Sequence, residues 1–335
     1  MEKKVCVTGA TGLVGSHLLI KLAEQNKNII ALYRSKKAIE LVEELFNFYG
    51  KKELLKQVYW TKGDILDKEF LKETIKDIEE VYHTAALVSF EKKDAEQLIK
   101  VNVKGTENLL EAMLVNRVHK LFFISSVATI RNKNKKGLFS ENGEIKGGRK
   151  WTVYVQSKFR AEQMVLAYAS KGIDTVIINP GVILGAGNTH KSSTAIFKTV
   201  QEGLLFYTNG INGFVDVRDV VDALLLLKRQ KAYGQPFICV AENVSFRTIF
   251  TLIANALQVR PPFIKANALM LALAWRVEFL RAKWKGESPK ITKDNTQAAM
   301  DIMQYDNSLL RQQGFSFRSL QDACQTAANF IQKRK

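Results

Sequence analysis

The sequence predicts an α/β fold: a doubly wound parallel sheet with a smaller, mostly helical lobe attached. Three observations predict it. Strand-like and helix-like segments alternate from the first residues, the order that lays parallel strands beneath crossover helices. A glycine-spaced turn joins the first strand to the first helix. The alternation then gives way after about residue 180 to loop-rich and helical stretches. Each element follows from local pattern. Lys4–Thr8 is a β-branched run, and Leu13–Gln25 has helical spacing at Leu18, Leu19 and Leu22. Further strands are expected at Asn28–Tyr33, Gln57–Lys62, Glu80–Thr84, Lys120–Ser125 and Thr175–Asn179. Helices are expected at Ala38–Tyr49, Lys68–Ile75, Ala95–Asn116 and Val153–Lys171, and later at Ser245–Leu257, Asn267–Lys283 and Arg318–Lys333. Gly185–Lys191 and Gly203–Gly213 read as loops.

With 46% hydrophobic and 25% charged residues among 335, the chain has enough apolar side chains to build a core. Its net charge of +17 favours anionic partners or a solvated basic surface. No recognition motif accompanies the charge, so no specific nucleic-acid partner is expected. Cys6, Cys239 and Cys324 are widely separated, and the four histidines show no ligand spacing, so neither a disulfide framework nor a metal site is expected. The chain runs from MEKKVCVTGA straight into a strand, and its most apolar later stretch, Ala266–Trp275, is too short to span a bilayer. A reducing, cytoplasmic setting is the expectation.

Val7-Thr8-Gly9-Ala10-Thr11-Gly12-Leu13-Val14-Gly15 has the spacing G-x-x-G-x-x-G in a strand–turn–helix context. Gly9 permits the tight turn, Gly12 a close backbone approach to a pyrophosphate, and Gly15 close packing of the helix. The helix N-terminus offers free N–H groups and partial positive charge to phosphates. This Rossmann-type turn makes Gly9, Thr11, Gly12, Leu13, Val14 and Gly15 candidate cofactor contacts. The second strand ends in Tyr33-Arg34-Ser35-Lys36-Lys37 with no acid to bind a ribose hydroxyl. Arg34 instead suits a 2′-phosphate, so NADP(H) is favoured and NAD(H) stays open. Residues 1–180 are assigned to a dinucleotide-binding domain, with a return at about 214–240, and residues 181–335 mainly to a substrate-binding lobe.

Tyr154-Val155-Gln156-Ser157-Lys158 places Tyr and Lys four apart on one helical face. A nearby ammonium favours the phenolate, so the pair can exchange a proton near neutral pH. Ser125 and Ser126 end a buried strand, where a hydroxyl can donate to a carbonyl oxygen.

These motifs together resemble the extended short-chain dehydrogenase/reductase (NAD-dependent epimerase/dehydratase) family. The resemblance also rests on Gly63-Asp64-Ile65, His83-Thr84-Ala85-Ala86, Val101-Asn102-Val103-Lys104-Gly105-Thr106, Asn179-Pro180-Gly181 and Phe214-Val215-Asp216-Val217-Arg218-Asp219-Val220. It implies that Asp64 and Ile65 lie near the adenine, and that Ala85, Ala86 and Pro180 line the cofactor cleft. It further implies that Lys158 binds the nicotinamide ribose. Ser126 matches the carbonyl-orienting hydroxyl, with Ser125 as the neighbouring alternative. Within the family, Ser-Ser-Val-Ala-Thr resembles the dihydroflavonol reductase and 3β-hydroxysteroid dehydrogenase branch. Val182 and Asn212 stand where nucleotide-sugar enzymes tend to carry Asn and Arg.

The expected function is therefore an NADP(H)-dependent oxidoreductase acting on an apolar ketone or secondary alcohol, with Ser126, Tyr154 and Lys158 catalytic. A nucleotide-sugar epimerase or dehydratase with bound NAD and a catalytically silent cofactor sensor are the alternatives. His83 is expected to touch the cofactor cleft. Arg131–Gly137 reads as a basic loop leaving the active-site edge, either solvated or drawing an anionic substrate. Phe263–Trp284 could wall an apolar pocket, sit in the core or rest on a membrane surface. Peripheral membrane contact and a homodimer both stay open beside the small-molecule substrate.

Overall fold

Short runs rich in β-branched, aromatic and other apolar residues build the central layer. The computed structural model describes residues 4–89, 91–146, 151–189, 192–285, 296 and 299–334. Seven parallel strands form one sheet: β1 (Lys4–Thr8), β2 (Asn28–Tyr33), β3 (Val58–Lys62), β4 (Ile78–His83), β5 (Lys120–Ile124), β6 (Asp174–Pro180) and β7 (Pro236–Cys239). Their order is β7-β6-β5-β4-β1-β2-β3. The strand order reverses between β1 and β4, so the crossovers leave in opposite directions there and open a crevice at the carboxyl edge.

The helices are α1 (Leu13–Glu24), α2 (Lys37–Phe48), α3 (Lys68–Thr74), α4 (Ala95–Ile99), α5 (Gly105–Val115), α6 (Val153–Ala169), α7 (Ala195–Gln201), α8 (Val217–Gln230), α9 (Phe246–Leu257) and α10 (Ala268–Lys285), followed by Ser308–Gln312 and Leu320–Lys333. One buried cluster joins Leu18 and Leu22 of α1, Phe46 of α2 and Leu224 of α8 to one face of the sheet. A second joins Leu71 of α3, Leu109 and Met113 of α5 and Val165 of α6 to the other. Both faces are thus covered by apolar helix stripes, the arrangement that stabilises a parallel sheet. The closing helix contributes Ala327 and Phe330 to the first cluster, and Phe330 meets the Phe48 ring edge-on at 5.2 Å.

The later half also contains strand pairing. Val182–Leu184, Ile211–Asp216 and Glu242–Ser245 form a three-stranded sheet, and Phe206–Tyr207 pairs with Ile264–Lys265. These strands occupy part of the stretch whose glycines suggest loops. The single helix expected over 95–116 is interrupted by a π-helical turn, Lys100–Lys104, between α4 and α5. There Asn102 accepts from the Leu87 N–H at 2.7 Å and donates to the Leu87 carbonyl at 3.0 Å. Such a turn re-aims a side chain without ending the helix. The basic stretch after β5 is pinned down: Asn132–Lys133 pairs with Ile145–Lys146, and Asn134 donates to Asp306 at 2.8 Å.

Candidate active site at the carboxyl edge of the sheet

Parallel strands bring all their carboxyl ends to one edge. The Gly9 turn, Arg34, Asp64, Ala85, Ser126 and Pro180 therefore gather there, although they span most of the first half of the sequence. Gly9 has φ +67°, and a Cβ on it would lie 2.5 Å from the Ala85 nitrogen. Only glycine lets the turn leave β1 this close to the chain that leaves β4. A Cβ at Gly15 would lie 2.2 Å from the Gly9 carbonyl oxygen. Gly15 thus serves the approach of α1 to its own preceding turn. Gly12 is exposed, caps α1 without a side-chain hydrogen bond, and is followed by no acid in the first turn. By contrast, Thr152 caps α6, Asp216 caps α8 and Ser245 caps α9 through their side chains. The N–H groups of Leu13 and Val14 at the open end of α1 suit a phosphate, and Thr11 is half-buried beside them.

Arg34 immediately follows β2, is exposed and lies ahead of α2. Asp64 follows β3 and accepts from the Leu66 N–H at 3.0 Å. Ile65 is buried, and its carbonyl and that of Leu66 accept from Asn108 of α5 at 3.2 and 3.0 Å. This holds the loop after β3 against α5. Ala85 is half-buried, Ala86 is exposed, and Pro180 is buried as the last residue of β6.

His83 differs from its expectation. It is fully buried, with Thr8 Oγ1 2.7 Å from Nδ1 and Thr106 Oγ1 2.9 Å from Nε2. The Thr106 hydroxyl donates to the Asn102 carbonyl at 2.7 Å, so it accepts from His83 Nε2–H, and Nδ1 accepts from Thr8. Burial, with the Lys158 charge adding, pushes His83 down to about 3. It is a neutral tie between β1, β4 and α5 rather than a cleft residue.

Tyr154 and Lys158 lie one turn apart on α6, Tyr154 half-buried and Lys158 buried. Lys158 Nζ donates to the Ile124 carbonyl at 2.8 Å and sits 4.8 Å from the Phe123 ring centre. Burial pushes it down to about 8, against the opposing pull of the Glu162 carboxylate. The ammonium is thus anchored on the last residue of β5, two residues before Ser126. Ser126 is half-buried, and its Oγ accepts from the Ala128 N–H at 3.1 Å. An Oγ used as acceptor leaves its own hydrogen available for an incoming oxygen. Ser125, the alternative, is buried.

Several side chains hold this arrangement that motif reading did not assign a role. Glu162, one turn beyond Lys158 and buried, has Asn179 Nδ2 at 2.6 Å and Thr129 Oγ1 at 2.9 Å. The same two groups approach the Ser126 carbonyl oxygen at 3.1 and 2.9 Å. Burial raises the Glu162 pKa, while hydrogen bonds from Asn179 and Thr129 and the Lys158 charge oppose that rise. Asn102 donates to Ser157 Oγ at 2.9 Å, and Ser157 donates to the Tyr154 carbonyl at 2.8 Å. The helix carrying Tyr154 and Lys158 is therefore tied to β5, β6 and the loop after β4. Among the described residues no cluster of His, Cys, Asp or Glu is arranged to hold a metal ion.

The NAD-dependent epimerase/dehydratase family model matches residues 5–239. The chain belongs to that family. Its relatives include a putative dihydroflavonol 4-reductase from Synechocystis sp. (strain ATCC 27184 / PCC 6803 / Kazusa), 29% identical over 97% of this chain and 94% of the relative. Another is a 4-hydroxy-2-methyl-3-oxo-4-farnesyl-3,4-dihydroquinoline-1-oxide ketoreductase from Stigmatella aurantiaca, 31% identical over 78% of this chain and 77% of the relative. The crystal structure of gox2253 shares the fold with a TM-score of 0.80 over 99% of both chains at 24% identity. The resemblance carried by the sequence motifs thus identifies the family, and the protein is an NAD(P)-dependent enzyme with the seven-stranded sheet and flanking helices of that class.

Proposed function

We propose that this epimerase/dehydratase family member is an NADP(H)-dependent reductase of an apolar ketone, or the dehydrogenase of the matching secondary alcohol. The observation that carries the reading is the buried Lys158 ammonium anchored on Ile124, with Tyr154 one turn away and the Ser126 hydroxyl free to donate. The cofactor fits the residues present: the Gly9 turn has no room for a Cβ, and the exposed Gly12 opens an uncapped helix end. Leu13 and Val14 N–H groups would hold the pyrophosphate, Asp64 and Ile65 would flank the adenine, and Ala85, Ala86 and Pro180 would line the cleft. Lys158 would hold the nicotinamide ribose. The bound cofactor supplies or accepts the hydride. Ser126 donates to the ketone oxygen and fixes its position, Tyr154 supplies the proton as that oxygen becomes a hydroxyl, and the Lys158 ammonium favours ionisation of Tyr154. The relatives named as reductases support reduction, and the farnesyl group in the name of one supports an apolar substrate. A panel of apolar ketones with NADPH, followed by absorbance, tests the reading; no consumption across the panel counts against it.

NADP selectivity rests on Arg34, the exposed cation where β2 ends. Arg34→Ala is expected to weaken NADPH by roughly tenfold to a hundredfold, the range for losing a charge-assisted contact, and to leave NADH nearly unchanged. Titration of each cofactor against both proteins checks this. A wild-type preference for NADH, or a preference that Arg34→Ala does not alter, removes the assignment.

The reduction rate should also fall as pH rises through about 8, where Lys158 loses its proton. The Glu162 charge favours the ammonium. Glu162→Gln should therefore move the alkaline limb to lower pH, which a pH profile of kcat/KM reads directly.

A further inference from the structure

Helix α10 turns Leu269, Leu273, Val277 and Trp284 to solvent, with exposures of 82, 65, 57 and 88%. At about 100° per residue these four fall within roughly 80° of one another, on one face. The segment before the helix also exposes large apolar side chains. Phe263 N–H donates to the Leu205 carbonyl at 3.1 Å, and Leu205, Phe206 and Phe263 are all exposed. Large apolar groups gathered on an exposed surface mark a contact site more often than ordinary solvation.

The charge around the stripe says what it contacts. From Arg260 to Lys285 the sequence holds six Lys or Arg and one acid, Glu278. Glu278 is already held by Arg281 at 2.7 and 2.8 Å, and Glu202, near Leu205 in sequence, pairs with Lys198 at 3.7 Å. Arg260 lies 4.2 Å over the Phe263 ring, and Lys265 and Arg276 are exposed. A second copy of the same face would oppose these cations with like charge. An anionic lipid surface matches both the apolar stripe and the cationic flank. None of the described helices is long and apolar enough to cross a membrane, so the helix would lie along the surface.

We propose that α10, together with Phe206 and Phe263, docks the protein on an anionic lipid surface, its apolar side chains entering the headgroup boundary and its cations meeting the phosphates. The inference does not depend on the reductase reading, because its readout is binding. The test is flotation of the whole protein with phosphatidylcholine vesicles, with and without added phosphatidylglycerol, at low and physiological salt. Partition onto the anionic vesicles should exceed that onto neutral ones by at least about tenfold and should weaken with salt. Leu273→Glu and Trp284→Ala should each lower it by about tenfold or more, with the circular dichroism spectrum and cofactor titration unchanged. Equal partition of wild type and both variants, or no binding even at low salt, would overturn the proposal. So would a wild-type dimer that Leu273→Glu converts to a monomer, because the stripe would then be covered by a second copy.

Discussion

Tyr154→Phe is expected to leave NADPH binding intact and to lower turnover of a ketone substrate by at least about a hundredfold, the lower range for general acid catalysis. The substitution keeps the ring on its face of α6 and removes only the transferable proton. The backbone there is held by Ser157, which donates to the Tyr154 carbonyl, and Ser157 is held in turn by Asn102. The variant should therefore keep the helix in place. Lys158→Met is the informative companion. Lys158 is both the charge beside Tyr154 and a candidate ribose contact, so its loss should lower turnover and weaken NADPH together. Single-turnover rates and a fluorescence titration separate the two effects. A Tyr154→Phe protein with the wild-type rate would mean that the proton comes from another group.

The second large effect is expected at Gly12. Gly12→Val should abolish measurable NADPH binding while the protein stays folded. The backbone at Gly12 is extended, with φ −80° and ψ 172°, a conformation valine adopts readily. The position is exposed, and a Cβ there would meet the Gly9 oxygen at 3.1 Å, a tight contact but not an impossible one. The cost thus falls on what approaches from outside, because the isopropyl group occupies the space in front of the open end of α1. Circular dichroism and a binding titration check both halves of this expectation. Undiminished binding would separate the glycine turn from phosphate recognition. A Gly15→Val protein should behave differently and unfold, because its side chain would collide with the turn itself.

The parallel sheet was legible because its strands are short apolar runs with breaks at both ends. β1, β2, β5 and β6 have apolar interiors, and the helices between them repeat leucines at helical spacing. β7 carries a weaker local signal: Pro236–Cys239 has only four residues, begins with proline, and joins through pairing with β6. The interruption at Lys100–Lys104 has no local sequence signal; there Asn102 pairs with the backbone of Leu87, a residue on another segment. The three-stranded sheet escaped for a related reason. Asn212 and Gly213 look like turn residues, yet they pair with Val244 and Asn243 on a distant strand. The candidate site shows the same division. Gly9, Tyr154 and Lys158 announce themselves through local spacing, whereas Glu162, Asn179 and Thr129 acquire a common task only when β6 and α6 fold beside β5. His83, which stands in a motif expected to line the cofactor, is enclosed, with Thr8 and Thr106 satisfying both ring nitrogens.

In the proposed reaction one carbonyl group beside Ser126 and Tyr154 receives both hydride and proton, and the hydride stays on the carbinol carbon of the product. Isotope transfer tests it most directly. NADPH carrying deuterium at the transferable position of its nicotinamide is incubated with the enzyme and an apolar ketone from the screen, and the product is weighed by mass spectrometry. The predicted result is an alcohol with one deuterium on the carbinol carbon, formed in equal amount to the cofactor oxidised. The contradicting result is a protein that leaves every ketone and its NADPH unchanged, yet turns over a nucleotide sugar with bound NAD and no net oxidation of cofactor.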